Sequence, residues 1–109
     1  KTIGATTVSS TATAFDSFDL DDTTAAVYYV VGKNATEDEY SVQEVYMCGD
    51  IGEAGVAQGP FVSTKGTTQL EFSGAYIGTA DNTVQMTVAS TSGASTVVNA
   101  YRISCLAEE

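Results

Sequence analysis

Carboxylates are the groups in this sequence best suited to chemistry, because its 109 residues include 14 Asp and Glu but no His. Without an imidazole to accept the proton, Ser–His and Cys–His nucleophilic catalysis are excluded. A Ser–Lys pair is disfavoured because Lys1, Lys33 and Lys65 fall at the terminus or in predicted turns. Glu44 and Glu71 fall well inside predicted strands, but glycoside hydrolysis needs two acids across one cleft. We interpret both as solvent-facing and predict no catalytic residue and no enzymatic activity.

A group of four acids, Asp16, Asp19, Asp21 and Asp22, offers the oxygen ligands that calcium prefers. Its spacing lacks the EF-hand pattern, and Asp residues in turns commonly hydrogen-bond to nearby backbone while remaining solvated. We interpret residues 16–22 as an acidic turn, and calcium binding there is left open. Two cysteines without His or a CxxC motif do not favour structural zinc, so no metal or cofactor is predicted.

The two cysteines, Cys48 and Cys105, each end a predicted strand, so both fit the same end of a sandwich. A disulfide between them would close a long loop and stabilise the fold by about 4 kcal/mol. The alternative is two separate buried thiols that behave as small apolar residues. A separate surface feature is the segment Asn34-Ala35-Thr36, which matches the acceptor pattern for N-glycosylation.

Tyrosine is the most frequent aromatic residue of the chain. Tyrosines of this kind can line a carbohydrate-binding face, but more often they fill a sandwich core or a subunit interface. The candidates are Tyr28, Tyr29, Tyr40, Tyr46, Tyr76 and Tyr101.

The charge balance restricts the partners of the chain. The net charge of −10, with only 4 basic residues, leaves little capacity to neutralise phosphates, so nucleic acid and anionic membranes are not predicted partners. No apolar run approaches the roughly 20 residues that a membrane span needs. Residues 1–4 (KTIG) contain neither Met nor a signal-peptide core, so we expect that a leader or the initiator Met has been removed.

Period-2 alternation, which is typical of β-strands, recurs along the chain, and no window sustains helical spacing. Residues 25–31 (AAVYYVV) are a near-continuous apolar run and predict a central strand. Residues 39–48 alternate strictly, with apolar side chains on both faces. Pro60 predicts an edge strand or a bend. About eight short strands with regular turn signals predict one all-β domain, a β-sandwich of jelly-roll-like type.

The first twelve residues differ from the rest because they are rich in Thr and Ser and only weakly apolar. We divide the chain into an N-terminal arm or edge strand at 1–12 and a β-sandwich domain at 13–109. An arm of this kind can add as a strand to a neighbouring subunit. Thr2, Ile3 and Val8 are then the predicted assembly residues, with Ile3 and Val8 as apolar anchors; pairing of the segment within its own sheet is the alternative.

Four segments carry a resemblance to a known family: residues 13–19 (TAFDSFD), 25–31 (AAVYYVV), 39–45 (EYSVQEV) and 96–103 (TVVNAYRI). Together they resemble a small β-sandwich module of virion structural proteins from marine tailed phages. The resemblance covers most of residues 2–106 and brings no catalytic residue with it. It implies a capsid decoration, fibre or tail component located in the virion, whose partners are other virion proteins or copies of itself.

We therefore expect a virion structural protein that is homo-oligomeric or lattice-bound and assembles through sheet edges and apolar patches. Its acidic charge would keep many copies soluble before assembly. One alternative is a subunit of an extracellular prokaryotic filament joined by N-terminal strand donation. Another is a carbohydrate-binding module that uses the tyrosines and an acidic calcium loop.

Overall fold

The computed structural model describes residues 1–34, 36–65, 70–77 and 82–105, and within them it contains strands and no helix. The strands are β1 (Thr2–Val8), β2 (Thr13–Asp19), β3 (Ala25–Asn34), β4 (Glu39–Asp50), β5 (Glu53–Ser63), β6 (Leu70–Tyr76), β7 (Thr83–Ser90) and β8 (Thr96–Cys105). Every pairing between them is antiparallel. The predicted all-β class is confirmed.

The strands form two sheets that pack face to face as a β-sandwich. The larger sheet has the order β1-β8-β3-β4-β5 and the smaller has the order β2-β7-β6. β3 is the middle strand of the larger sheet, which confirms the prediction for the apolar run of residues 25–31. The consecutive strands β3, β4 and β5 form a meander, whereas β1 reaches β8 at the other end of the chain, so the two termini of the fold lie in one sheet.

The core lies between the sheets and is built from alternate residues of each strand. In β7 the inward side chains Val84, Met86 and Val88 are completely buried, as their period-2 spacing predicts. Opposite them lie Val45 and Val98 of the larger sheet, which are equally buried. Each fully buried side chain of this kind contributes about 1.5–3 kcal/mol of burial free energy, so the shared core is the main force that joins the sheets.

Irregularities occur where the sequence predicts them. β2 has a bulge between Ala14 and Asp16, in the segment whose apolar spacing predicts a bulge or bend. β5 is an edge strand, and its pairing with β4 shifts register in the stretch that contains Pro60, which confirms the prediction for that proline. The opposite edge strand, β1, also shifts register, between Ile3 and Thr6.

The N-terminal segment is not a free arm. β1 pairs with β8 of the same chain, from Thr2 opposite Tyr101 to Val8 opposite Thr96. Ile3 and Val8, the predicted anchors for a neighbouring subunit, are buried in the core of their own domain. The structure has the alternative, pairing within its own sheet, so Ile3 and Val8 are not free to anchor a neighbouring subunit, whereas Thr2 is exposed.

Candidate interaction face

The side chains of the larger sheet that point away from the core form one continuous surface, which we call the outer face. Strand register aligns them in rows: Val27 of β3, for example, lies between Ile103 of β8 and Tyr46 of β4, and Ala57 of β5 follows. The residues of the outer face are Val97, Asn99, Tyr101, Ile103 and Cys105 of β8, Ala25, Val27, Tyr29, Val31 and Lys33 of β3, Tyr40, Val42, Glu44, Tyr46, Cys48 and Asp50 of β4, and Glu53, Gly55, Ala57 and Val62 of β5.

This surface is apolar and open to solvent. Val62 is 67% exposed, Tyr101 53% and Val42 49%, values at which isolated apolar residues of a soluble domain are ordinary. Here, however, such residues are contiguous over four neighbouring strands, and monomeric proteins seldom leave a patch of this size uncovered. The outer face is consequently the best candidate for a binding surface in the described part of the chain.

Two charged residues of the outer face, Lys33 and Glu44, contact tyrosines. The Lys33 ammonium lies 5.3 Å from the centre of the Tyr40 ring, and hydrogen bonding to Tyr40 raises the pKa of Lys33. The Tyr46 hydroxyl donates a hydrogen bond of 2.8 Å to Glu44 Oε2, and this bond raises the pKa of Tyr46. Asp50 and Glu53 add two negative charges at the β4–β5 hairpin end, so the face carries only a small part of the charge of −10 of the whole chain.

A groove with a volume of about 450 Å³ crosses one end of the outer face. Its lining includes the small residues Ala25, Gly55 and Ala57, with the larger Ile103 and Tyr46 beside them. Small side chains on neighbouring strands leave the groove open, because nothing projects from the sheet to fill it. A bulky apolar group from a partner fits this shape.

Cys48 and Cys105 lie in this groove as free, exposed thiols. Both pair with Ala25, from opposite sides, so β3 runs between them. Two strand spacings separate their Cα atoms by about 9–10 Å, beyond the roughly 7 Å that a disulfide spans. The predicted placement at one end of the sandwich is right, but the disulfide between Cys48 and Cys105 is not formed, and the thiols are not buried.

Directly behind the outer face, a polar cluster joins the two sheets inside the core. Arg102 Nη1 lies 2.7 Å from Asp16 Oδ2, and the Tyr28 hydroxyl donates a 2.7 Å hydrogen bond to the same oxygen. The guanidinium also stacks over the Phe18 ring, 5.6 Å from its centre. The bulge in β2 makes this contact possible, because Asp16 pairs with the inward-facing Met86. Burial, and then the hydrogen bond to Asp16, raises the pKa of Tyr28.

The four acids of the predicted acidic turn therefore have different roles. Asp16 points into the core, whereas Asp19 Oδ1 accepts a 2.8 Å hydrogen bond from the backbone N–H of Asp21, as in an Asx turn. Asp21 and Asp22 are exposed. No group of three or more metal-ligating side chains occurs among the described residues, so the structure does not assemble the calcium loop considered for residues 16–22.

The other predicted site residues are dispersed. Glu44 lies on the outer face and Glu71 points outward from the smaller sheet, so the two carboxylates cannot flank one cleft. Asn34 of the glycosylation motif is buried, and its side-chain oxygen accepts hydrogen bonds from the backbone of Thr36 and Glu37; Ala35 lies outside the described residues. That amide is not presented to solvent.

The six tyrosines separate into two groups. Tyr28 is buried, and Tyr76 packs partly against the core, where its hydroxyl donates a 2.8 Å hydrogen bond to Asn82 Oδ1. The remaining four belong to the outer face: Tyr29, Tyr40, Tyr46 and Tyr101. Tyr29 and Tyr101 are direct cross-strand neighbours, which gives the face an aromatic ridge next to the groove.

No protein-family model, curated protein or solved structure matches this chain. Among the described residues, no helix has the length and apolar character required to cross a membrane.

Proposed function

We propose that this chain is a non-enzymatic structural protein of a tailed-phage virion, a capsid decoration or a fibre or tail component, which assembles through its outer face. The observation that carries the proposal is the continuous apolar surface of the larger sheet, with Val42, Val62 and Tyr101 about half or more exposed. A sandwich that keeps such a surface uncovered needs a partner. The sequence resemblance to virion modules supplies the context for that partner.

The electrostatics support the same role. With a net charge of −10, of which the outer face carries only a small part, copies repel one another least in the orientation that brings their apolar surfaces together. Such a protein stays soluble at the high concentration that precedes assembly. The filament alternative loses support, because β1, the strand it would donate, pairs with β8 of its own chain.

A carbohydrate-binding module is the second candidate, and the ridge formed by Tyr29 and Tyr101 is the observation that favours it. Stacked sugars need flanking hydrogen-bond groups as well as rings. The neighbours Val27, Val31 and Ile103 are aliphatic. Of the polar neighbours, Glu44 already accepts a hydrogen bond from Tyr46, which leaves Asn99 and few other groups for a sugar. This surface suits a protein partner better than a glycan.

Location decides between these functions. Antibodies raised against the purified chain should label intact tailed-phage particles in electron micrographs of the source culture, on the head for a decoration protein and on fibres or tail for the others. Labelling of cell-surface filaments instead, or antigen that stays in the particle-free supernatant, would overturn the virion proposal. Retention on immobilised polysaccharides that is lost in Tyr29→Ser would promote the carbohydrate-binding module.

A further inference from the structure

We propose that the outer face binds a second copy of this chain, so that two larger sheets pack face to face about a two-fold axis parallel to the strands and between β3 and β4. This inference deepens the proposed function, on which it rests, by naming the occupant of the surface. In this arrangement β3 of one copy covers β4 of the other, and β8 covers β5.

The first support is a match of side-chain sizes across the midline of the face. On the β8 side the outward residues include the large Tyr101 and Ile103, whereas β5 presents Gly55 and Ala57 at the groove and the larger Val62 only at its other end. A two-fold axis between β3 and β4 places the large side chains of β8 in each copy over the small side chains of β5 in the other. Ile103 then enters the groove beside Ala57 of the second copy, and the contact is made twice, as isologous interfaces require.

The second support is the available area. Four strands at about 4.8 Å spacing, over nine residues of about 3.3 Å each, present about 570 Å² of flat area per copy. Two copies together bury about 1,100 Å², above the roughly 1,000 Å² expected of a specific interface. Projecting tyrosines and valines add to this flat area. The face is large enough for a stable pair.

The third support is charge. Where the four strands overlap, the outer face contributes one Lys33 and one Glu44 per copy, whereas Asp50 and Glu53 lie at the β4–β5 hairpin, beyond the ends of β3 and β8. The exposed acids Asp21, Asp22 and Glu71 lie outside the outer face, in the turn after β2 and on the smaller sheet. A basic partner would instead be drawn to those acids. A second copy leaves the four-strand overlap without net charge, and the axis places each Lys33 over Tyr40 of the other copy.

The two thiols test the position of the axis. Cys48 lies on β4, next to the midline, so two Cys48 residues come within about one strand spacing laterally, whereas Cys105 on β8 lies about three spacings from its equivalent. A short bis-maleimide linker should therefore join two chains through Cys48 in the Cys105→Ser variant. It should not join them through Cys105 in the Cys48→Ser variant. The reverse result, or no link in either variant, would overturn this arrangement.

Oligomeric state provides the second readout, by light scattering on size-exclusion chromatography over a range of concentrations. The wild type should form a closed dimer whose dissociation constant falls as salt is added, because salt screens the repulsion between two chains of charge −10. Ala57→Lys places a charged side chain in the groove and should raise the dissociation constant about tenfold or more. The matched control Ala75→Lys, exposed on the smaller sheet, should leave it unchanged.

These outcomes separate the two proposals. A chain that stays monomeric at all concentrations, forms open-ended polymers, or dimerises equally well as Ala57→Lys and Ala75→Lys would overturn the face-to-face pair. None of these results bears on whether antibodies label virions. A closed dimer that is absent from particles would sink the virion role and leave the self-association intact.

Discussion

Arg102 on β8 and Asp16 on β2 form an ion pair across the sandwich, with Nη1 and Oδ2 2.7 Å apart and both side chains 8% exposed. The pair connects the larger sheet to the smaller one through charge, in addition to the apolar core and to hydrogen bonds between the sheets such as that from Tyr28 to Asp16. Removal of one partner leaves the other charge buried and uncompensated, which is far more costly than loss of a surface pair.

Arg102→Met should therefore lower the free energy of unfolding by about 3 kcal/mol, because Asp16 loses its counter-ion inside the core. Urea denaturation followed by circular dichroism measures this change. Lys33→Met, at the exposed strand position on the outer face, is the matched control and should stay within about 0.5 kcal/mol of the wild type. The double variant Arg102→Met/Asp16→Asn should recover part of the loss. Equal effects of the two single Met substitutions would show that the buried pair is not special.

Stability should depend on pH in the alkaline range through Tyr28. Burial and the hydrogen bond to Asp16 raise the pKa of Tyr28 above its ordinary value of about 10, so the folded chain retains a proton that the unfolded chain loses. Its contribution is fully present below pH 10 and declines as pH rises toward the folded-state pKa. Between pH 10 and 11 the decline is about 1 kcal/mol. Urea midpoints of Tyr28→Phe should fall less steeply than wild type in this range, and an unchanged slope would contradict the assignment.

The β4–β5 hairpin contains two glycines that should respond oppositely to alanine. A Cβ at Gly49 would lie 2.7 Å from Val84 and 3.0 Å from Leu20 in the core, whereas a Cβ at Gly55 meets only Cys48 Sγ at 3.8 Å. Gly49→Ala should cost about 2 kcal/mol through overpacking. Gly55→Ala should be neutral or slightly stabilising, because it restricts the unfolded chain. Thermal denaturation in dilute solution compares them, and similar melting temperatures would refute the close packing at Gly49.

β1 should be indispensable to the fold of its own chain. Val8→Ala removes buried methyl groups and should lower stability by about 2 kcal/mol. Thr7→Ala, at the exposed neighbouring position, should have little effect. A chain without residues 1–8 that folded with wild-type stability, and that bound a peptide of this segment added separately, would instead support strand donation between subunits.

Sequence periodicity is sufficient to predict the strands and which residues share a side, but not which side becomes the core. Tyr28 and Tyr29 show why: they are identical neighbours, one fully buried and the other 42% exposed. β3 and β4 are apolar on both faces, so the choice depends on where the smaller sheet packs. That is decided by pairings distant in sequence, such as β1 with β8, which no local pattern encodes.

The same non-local order explains why neither the separation of the two cysteines nor the partner of Arg102 could be predicted. That Cys48 and Cys105 end strands at the same end is visible from the sequence, but the insertion of β3 between them is a property of topology. Arg102 alternates with Tyr101 and Ile103, which indicates that it faces away from them. Its partner could not be predicted, because Asp16 turns inward only through the bulge in β2.

Both edge strands of the larger sheet are irregular, which restricts the addition of further strands to that sheet. β5 contains Pro60, which has no N–H to donate, and its register shifts nearby; β1 shifts register between Ile3 and Thr6. Neither border offers the straight row of backbone groups on which another chain could extend the sheet. Edge-to-edge aggregation through the larger sheet, a common risk for proteins rich in β-strand, is thereby disfavoured. If the chain pairs through its outer face as proposed, these edges favour a closed pair over an extended sheet.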